Sequence, residues 1–307
     1  MKTKRFTPIF IALFIFSAAL SAQTTAGEPV LISGTRFTYP LIEKWITEYT
    51  KLNPETKLEL VQKTDAVADL NIVAHRPTAA DLKDNQEIVY AGRYALLPVT
   101  NSLNPLLTSS RQKDFNKKEI DKLFFEVTDY DEEPVTEKPR FAATIYARDN
   151  QASASTTLAE YFGHITSEIK GKKVLGEDIY LLTAVKRDSI GIAFNNLGYL
   201  FDIQSRQLKE GITILPLDLK KESKNLLSGN LDEVIAILEQ NRIETIPVEK
   251  LGFIYSHANA RKEVTDFLKW VLTDGQKFNH EKGFLFLDKQ ELAEQTNRLT
   301  EKYLTSK

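Results

Sequence analysis

The 307-residue sequence predicts an α/β protein built as two lobes. Strand-like and helix-like stretches alternate along the chain, the pattern of a sheet covered by helices. No internal repeat or low-complexity linker separates two sequential domains. A long extended stretch, Glu87 to Val99, suits a strand that crosses from one lobe to the other.

Val30 to Ser33 reads as a short buried strand, followed by a polar turn from Gly34 to Tyr39. Pro40 suits the first turn of a helix, where its missing N–H is no loss. Leu41, Trp45, Ile46 and Tyr49 then repeat at helical spacing until Asn53-Pro54 ends the helix. Lys57 to Gln62 and Leu70 to Ala74 read as strands, and Thr78 with Asp81 as a capping box opening a short helix. Residues 109–140 are charged, with an acidic turn at Asp129 to Glu133. Phe141 to Ala147 is a strand. Ser153 to Thr157 reads as a hydroxylic loop leading into a helix at Leu158, Tyr161 and Phe162. Ile179 to Val185 is helical, and Ile190 to Phe194 is a strand. Tyr199 to Ile203 and Ile212 to Leu217 flank a polar turn, as a hairpin or a return crossing. Leu231 to Leu238 is a helix and Leu251 to Tyr255 a strand. Val264 to Leu272 and Gln276 to His280 are amphipathic helical turns, and a helix from about Lys289 to Tyr303 closes the chain.

Composition narrows the function. Hydrophobic residues are 42% and charged residues 27%, enough to build a core and not the profile of a disordered chain. Forty basic residues against 42 acidic give a net charge of -2, so nothing draws the whole chain to nucleic acid. Cysteine is absent, which excludes disulfides, thiolate zinc sites and cysteine nucleophiles. The histidines, His75, His164, His257 and His280, are too scattered for a His-rich metal centre, and no cofactor is expected. No G-x-S-x-G, H-E-x-x-H, P-loop or G-x-G-x-x-G motif occurs, which weighs against an enzyme.

The first residues set an expected address. Lys2, Lys4 and Arg5 precede an apolar run from Ile9 to Leu20, then Ser21-Ala22-Gln23. This is the layout of a signal peptide cleaved near Ala22, with Leu20 standing where a small residue is preferred. The run is shorter than the roughly 20 residues a spanning helix needs. Removing residues 1–22 leaves 37 basic against 42 acidic residues, net -5. A soluble, periplasmic, monomeric protein is expected.

Two segments place small or hydroxylic residues between a strand and a helix: Ser33-Gly34-Thr35-Arg36-Phe37-Thr38-Tyr39-Pro40, and Ser153-Ala154-Ser155-Thr156-Thr157, five residues after Arg148. A helix N-terminus offers unpaired N–H groups and partial positive charge, hydroxyls add donors, and arginine adds a fork. Plain N-capping by Ser and Thr explains the same residues. His75-Arg76 follow the strand 70–74, where α/β sheets place ligand contacts, or else form a solvated loop. Arg93, in a long apolar strand, reads as a pocket residue or as part of an exposed strand face.

Residues 33–45, from Ser33-Gly34-Thr35-Arg36-Phe37 through Pro40 to Lys44-Trp45, with Leu52-Asn53-Pro54, resemble the opening of the periplasmic phosphate-binding proteins of ABC transporters. Phe267 to Phe278, with Gly283 and a short apolar run, resembles that family's C-terminal signature. Ser189-Ile190-Gly191-Ile192-Ala193, Leu97 to Asn101 and Asn104-Pro105 resemble its strand and hinge blocks. The resemblance implies a type II periplasmic binding fold, with lobe I at 29–97 plus 213–307 and lobe II at 98–212. It implies a dehydrated oxyanion held by Thr35, Arg36 and Phe37, by His75 or Arg76, by Arg148, and by Ser153, Ala154 and Ser155. An ABC transporter permease is the implied partner.

The chain departs from the family pattern. Arg36 stands where the family has Thr, and Ala154 where it has Gly. The glycine-rich loop is shortened to Lys63 through Asp69. His75 or Arg76 replaces an acidic acceptor, which removes a filter for protonated phosphate and adds donors. The leading reading is an oxyanion-binding protein, phosphate first. Its rivals are an envelope interaction or sensory module that has lost the ligand, and a hydrolase using Ser153 or Ser155.

Overall fold

The structure, a computed structural model, describes residues 27–62, 68–78, 82–109, 114–126, 141–257 and 260–305. The signal-peptide reading, the shortened loop at Lys63 to Val67, Asp81 of the capping box and the acidic turn at Asp129 to Glu133 lie outside them. Among the described residues, no helix is long and apolar enough to cross a membrane.

Strand β1 (Val30–Gly34) pairs in parallel with β2 (Leu58–Leu60) and β3 (Leu70–Val73). Helix α1 (Tyr39–Leu52) connects β1 to β2, entered through a 3₁₀ turn at Arg36–Thr38. That segment was expected to be a polar turn. It instead buries Phe37 and Thr38, because the tight turn tips the Phe37 ring inward to 4.8 Å from Tyr94. The apolar face of α1 buries Leu41, Ile42, Trp45 and Tyr49. Trp45 is fully enclosed and still satisfied, its Nε1–H donating to the Gly275 carbonyl at 2.8 Å. Enclosing a side chain of this size stabilises by about 3 kcal/mol.

Strand β4 (Gln86–Asn101) belongs to both lobes. Over Gln86 to Ala95 it pairs antiparallel with β9 (Val248–Ser256), which in turn pairs with β3. Over Leu96 to Thr100 it pairs with β7 (Gly191–Asn196), and over Val99 to Asn101 with β8 (Ile212–Ile214). β7 runs parallel to β5 (Thr144–Arg148), and β5 parallel to β6 (Lys172–Val174). Phe141 to Ala143, expected to open β5, lie ahead of it.

A β-bulge interrupts the β4–β9 ladder between Tyr90 and Gly92, leaving the Ala91 carbonyl without a ladder partner. Gln276 Nε2 donates to it at 2.9 Å and Asn279 Nδ2 at 3.3 Å. Gly92 admits this approach, since a Cβ there would lie 2.8 Å from Asn279 Nδ2. The 274–282 segment is a pair of 3₁₀ turns, and two of its polar side chains turn inward to satisfy the bulge.

Helices α2 (Lys117–Phe124), α3 (Ser153–Phe162) and α4 (Asp178–Arg187) pack on the β5–β7 side. Ser153 to Thr157, expected as a loop, form the first turn of α3, begun by Ser155 and Thr156 N–H bonds to the Ala152 carbonyl. Tyr199 to Ile203 and Ile212 to Leu217 do not form a hairpin with each other. Leu197 to Leu200 close a helical turn, α5 (Leu197–Leu200), and β8 pairs with β4 instead. Leu215, Pro216 and Asp218 also bond to Pro98 and Phe115, which keeps the chain after β8 against β4 and the start of α2. The return runs through α6 (Lys221–Leu227) and α7 (Leu231–Gln240) to β9. α8 (Lys262–Leu272) and α9 (Lys289–Thr305) complete lobe I.

Candidate functional site: the lobe interface at the start of helix α3

Gly34 ends β1 at φ 130°, and a Cβ there would lie 2.2 Å from the Ile72 carbonyl. Only glycine lets β1 close on β3 at this point, and the closure sets the next residue. Thr35 N–H donates to the same Ile72 carbonyl at 3.1 Å. Its hydroxyl donates to that carbonyl as well, at 3.3 Å, and lies 3.2 Å from Ser153 Oγ across the cleft. His75, just beyond β3, brings Nδ1 to 3.3 Å from the same Ser153 oxygen. Thr35, His75 and Ser153 thus converge, although 118 residues separate Thr35 from Ser153.

Ser153 is the first residue of α3, and no side chain caps that helix. Its first-turn N–H groups and partial positive charge lie beside the three polar side chains. The cluster is rich in donors, a chemistry suited to an anion. The Ser153–His75 contact also has the composition of a nucleophile and base. Among the described residues, however, no third group orients His75, as an activated serine requires. No cluster of three metal-ligating side chains occurs among the described residues either.

The other candidate residues lie elsewhere. Arg36 and Arg76 are exposed, and Arg76 acts electrostatically on Tyr90. Phe37 is a core residue between Tyr94 and Phe284. Ser155 is buried, its hydroxyl donating to the Arg148 carbonyl at 3.2 Å, which ties α3 to β5. Ala154 and Arg148 line a cavity of about 10 Å³, room for a single water.

Arg148 is engaged within lobe II. Its guanidinium donates to the Val174 carbonyl at 2.8 Å and to the Gly176 carbonyl. Asp178 Oδ1 lies 3.0 Å from its Nε, off the N–H axis. Burial pushes the Asp178 carboxyl above the usual range, and Arg148 only partly offsets this. Burial likewise pushes the Tyr199 phenol up to about 12, with Asp178 and Glu177 adding to the shift. Sequence reading missed Asp178, because an acidic residue in a first helical turn is ordinary dipole matching.

It also missed how the lobes touch. Ser153, Thr157 and Tyr161 recur every fourth residue of α3 and so share one face. Thr157 Oγ1 lies 2.7 Å from Tyr94 Oη and 3.3 Å from the Ala74 carbonyl, to which Tyr94 donates at 2.5 Å. Tyr161 donates to the Ile243 carbonyl at 3.3 Å. The face is a polar seam against lobe I.

No family model matches the chain, and no curated protein matches it. Solved structures do share its fold. One, from Clostridium perfringens, is assigned as a phosphate ABC transporter substrate-binding protein with bound phosphate. It is 12% identical, and the match covers 85% of this chain and 100% of that one, with a TM-score of 0.61. An ABC-type phosphate transport receptor from Vibrio cholerae is 13% identical over 84% of this chain and 100% of its own, at 0.56. A mutant OxyR2 regulatory domain from Vibrio vulnificus is 11% identical over 81% of this chain and 97% of its own, at 0.50. The chain has the two-lobed α/β fold of periplasmic binding proteins.

Proposed function

We propose that this chain is an exported, non-enzymatic solute-binding protein that captures a small oxyanion, phosphate first, between its lobes. One observation carries the reading: the Thr35 and Ser153 hydroxyls and the His75 imidazole meet across the cleft at the uncapped start of α3. Arg148 and Ser155 hold that helix in place from behind, and Arg36 and Arg76, each next in sequence to a cluster residue, are exposed positive charges. Binding would favour the closed arrangement of the lobes, and an ABC transporter permease would receive the ligand. The basic and apolar start of the chain supports export to the periplasm.

A second reading is an envelope interaction or sensory module without a small ligand. The engaged Arg148 and the water-sized cavity beside it favour this reading. Calorimetric titration of the protein lacking residues 1–22 with phosphate and sulfate separates the two. Micromolar binding that Ser153→Ala weakens by about tenfold or more supports the first. No heat with either anion assigns the chain to the second.

A further inference from the structure

A larger cavity, about 360 Å³, opens beside Tyr161, two turns along α3 from Ser153. That volume is in the range of small-molecule sites, which favour interfaces between lobes. Tyr161 forms its wall from lobe II, and the α7–β9 connection and the β4–β9 ladder form the rest. Buried Leu238, Ile243 and Ile246 supply an apolar lining.

The charges around it are mixed in sign. Arg93, Arg242 and Lys250 face it along with Glu239, Glu249 and Asp288. Two of the six are occupied. Glu239 Oε1 accepts from the Phe286 N–H at 2.7 Å and lies 2.8 Å from His280 Nε2. Lys250 Nζ is 2.7 Å from Glu291 Oε1. The other four form no ion pair among the described residues. Arg93 uses only Nε, donating to the Phe286 carbonyl at 2.7 Å, which leaves the outer edge of its fork. Glu249 accepts through one oxygen from the neighbouring Lys250 N–H. Arg242 interacts with the Tyr161 hydroxyl at the lobe boundary.

Two guanidinium groups and two carboxylates around one cavity do not suit a simple oxyanion, which the carboxylates would repel. They match a molecule carrying both signs. We propose that this cavity is a second ligand site that binds a zwitterion, a free α-amino acid or a dipeptide, at the lobe boundary. Its carboxylate meets the Arg93 and Arg242 guanidinium groups, and its ammonium meets Glu249 and Asp288. The occupant touches Tyr161 on one lobe and Arg242 on the other, so it favours one relative setting of the lobes. The site is independent of the anion cluster at Ser153 and stands whether or not phosphate binds there.

The test is a calorimetric titration of the protein with L-glutamate, L-lysine and glycylglycine, using acetate and ethylamine as single-charge controls. Arg242→Gln and Glu249→Gln are the variants; both positions lie at the cavity rim, and circular dichroism checks the fold. The expected result is saturable binding of at least one zwitterion, weakened about tenfold or more in both variants, with neither control binding comparably. The proposal fails if no zwitterion binds at about 10 mM, if both variants bind as the parent does, or if acetate alone binds equally well.

Discussion

The Arg148 guanidinium is 9% exposed and has the Val174 and Gly176 carbonyls and the Asp178 carboxylate around it. Removing it would leave a buried carboxylate with no cation, which costs more than the ion pair contributes. Arg148→Gln is expected to lower the unfolding free energy by about 3 kcal/mol, read from denaturant midpoints. The pH dependence follows from Asp178. Burial raises its pKa, so the folded form holds the proton more tightly than the unfolded form. Its contribution to stability therefore falls as pH rises from the ordinary aspartate value through the raised one. Losing Arg148 removes the cation that opposes that rise, so the variant's deficit should be larger at neutral pH than near pH 4. An unchanged midpoint with weakened oxyanion binding would instead make Arg148 a ligand donor. Arg148 itself was legible, at the end of an evident strand and before a hydroxylic run. Its partner 30 residues on was not, because only the fold brings α4 against β5.

Local elements were legible where one physical signal dominated. The spacing of Leu41, Trp45 and Tyr49 located α1, and the long extended stretch from Glu87 to Val99 located β4. The signal failed where one residue type serves two geometries. Serine and threonine suit both a loop before a helix and its first turn, so Ser153 to Thr157 read one turn late. β8 was misassigned because short strands take whichever edge the fold exposes, here that of β4. Gly34 shows a related ambiguity. In sequence it belongs to an anion loop, and in structure it is where β1 passes closest to β3. Gly34→Ala would place a Cβ 2.2 Å from the Ile72 carbonyl at a φ of 130°. The substitution is expected to destabilise the protein by more than about 2 kcal/mol in a thermal or denaturant melt. A near-neutral effect would mean that β1 and β3 separate easily, and Thr35 would then lose its fixed aim at Ser153.

At the scale of the whole molecule, the two-lobed plan was legible and the seam between the lobes was not. With Ser153 to Thr157 read as a loop, the row of Ser153, Thr157 and Tyr161 at four-residue spacing goes unseen. Here it is the face that meets Thr35, Tyr94 and Ile243 across the cleft. Polar seams of this kind exchange hydrogen bonds with water at little net cost, which suits lobes that open and close. The absence of cysteine makes the closure directly testable. Thr35 and Ser153 approach oxygen to oxygen at 3.2 Å and lie 118 residues apart. A Thr35→Cys, Ser153→Cys double variant should cross-link under mild oxidant, seen as a mobility shift on a non-reducing gel. Closing a loop of that length should raise the stability of the oxidised form over the reduced form by about 4 kcal/mol. Efficient cross-linking with that gain would establish that the free protein visits this closure in solution. If the thiols stay free, the lobes rest apart, and contact between Thr35 and Ser153 would have to wait for a ligand to draw them together.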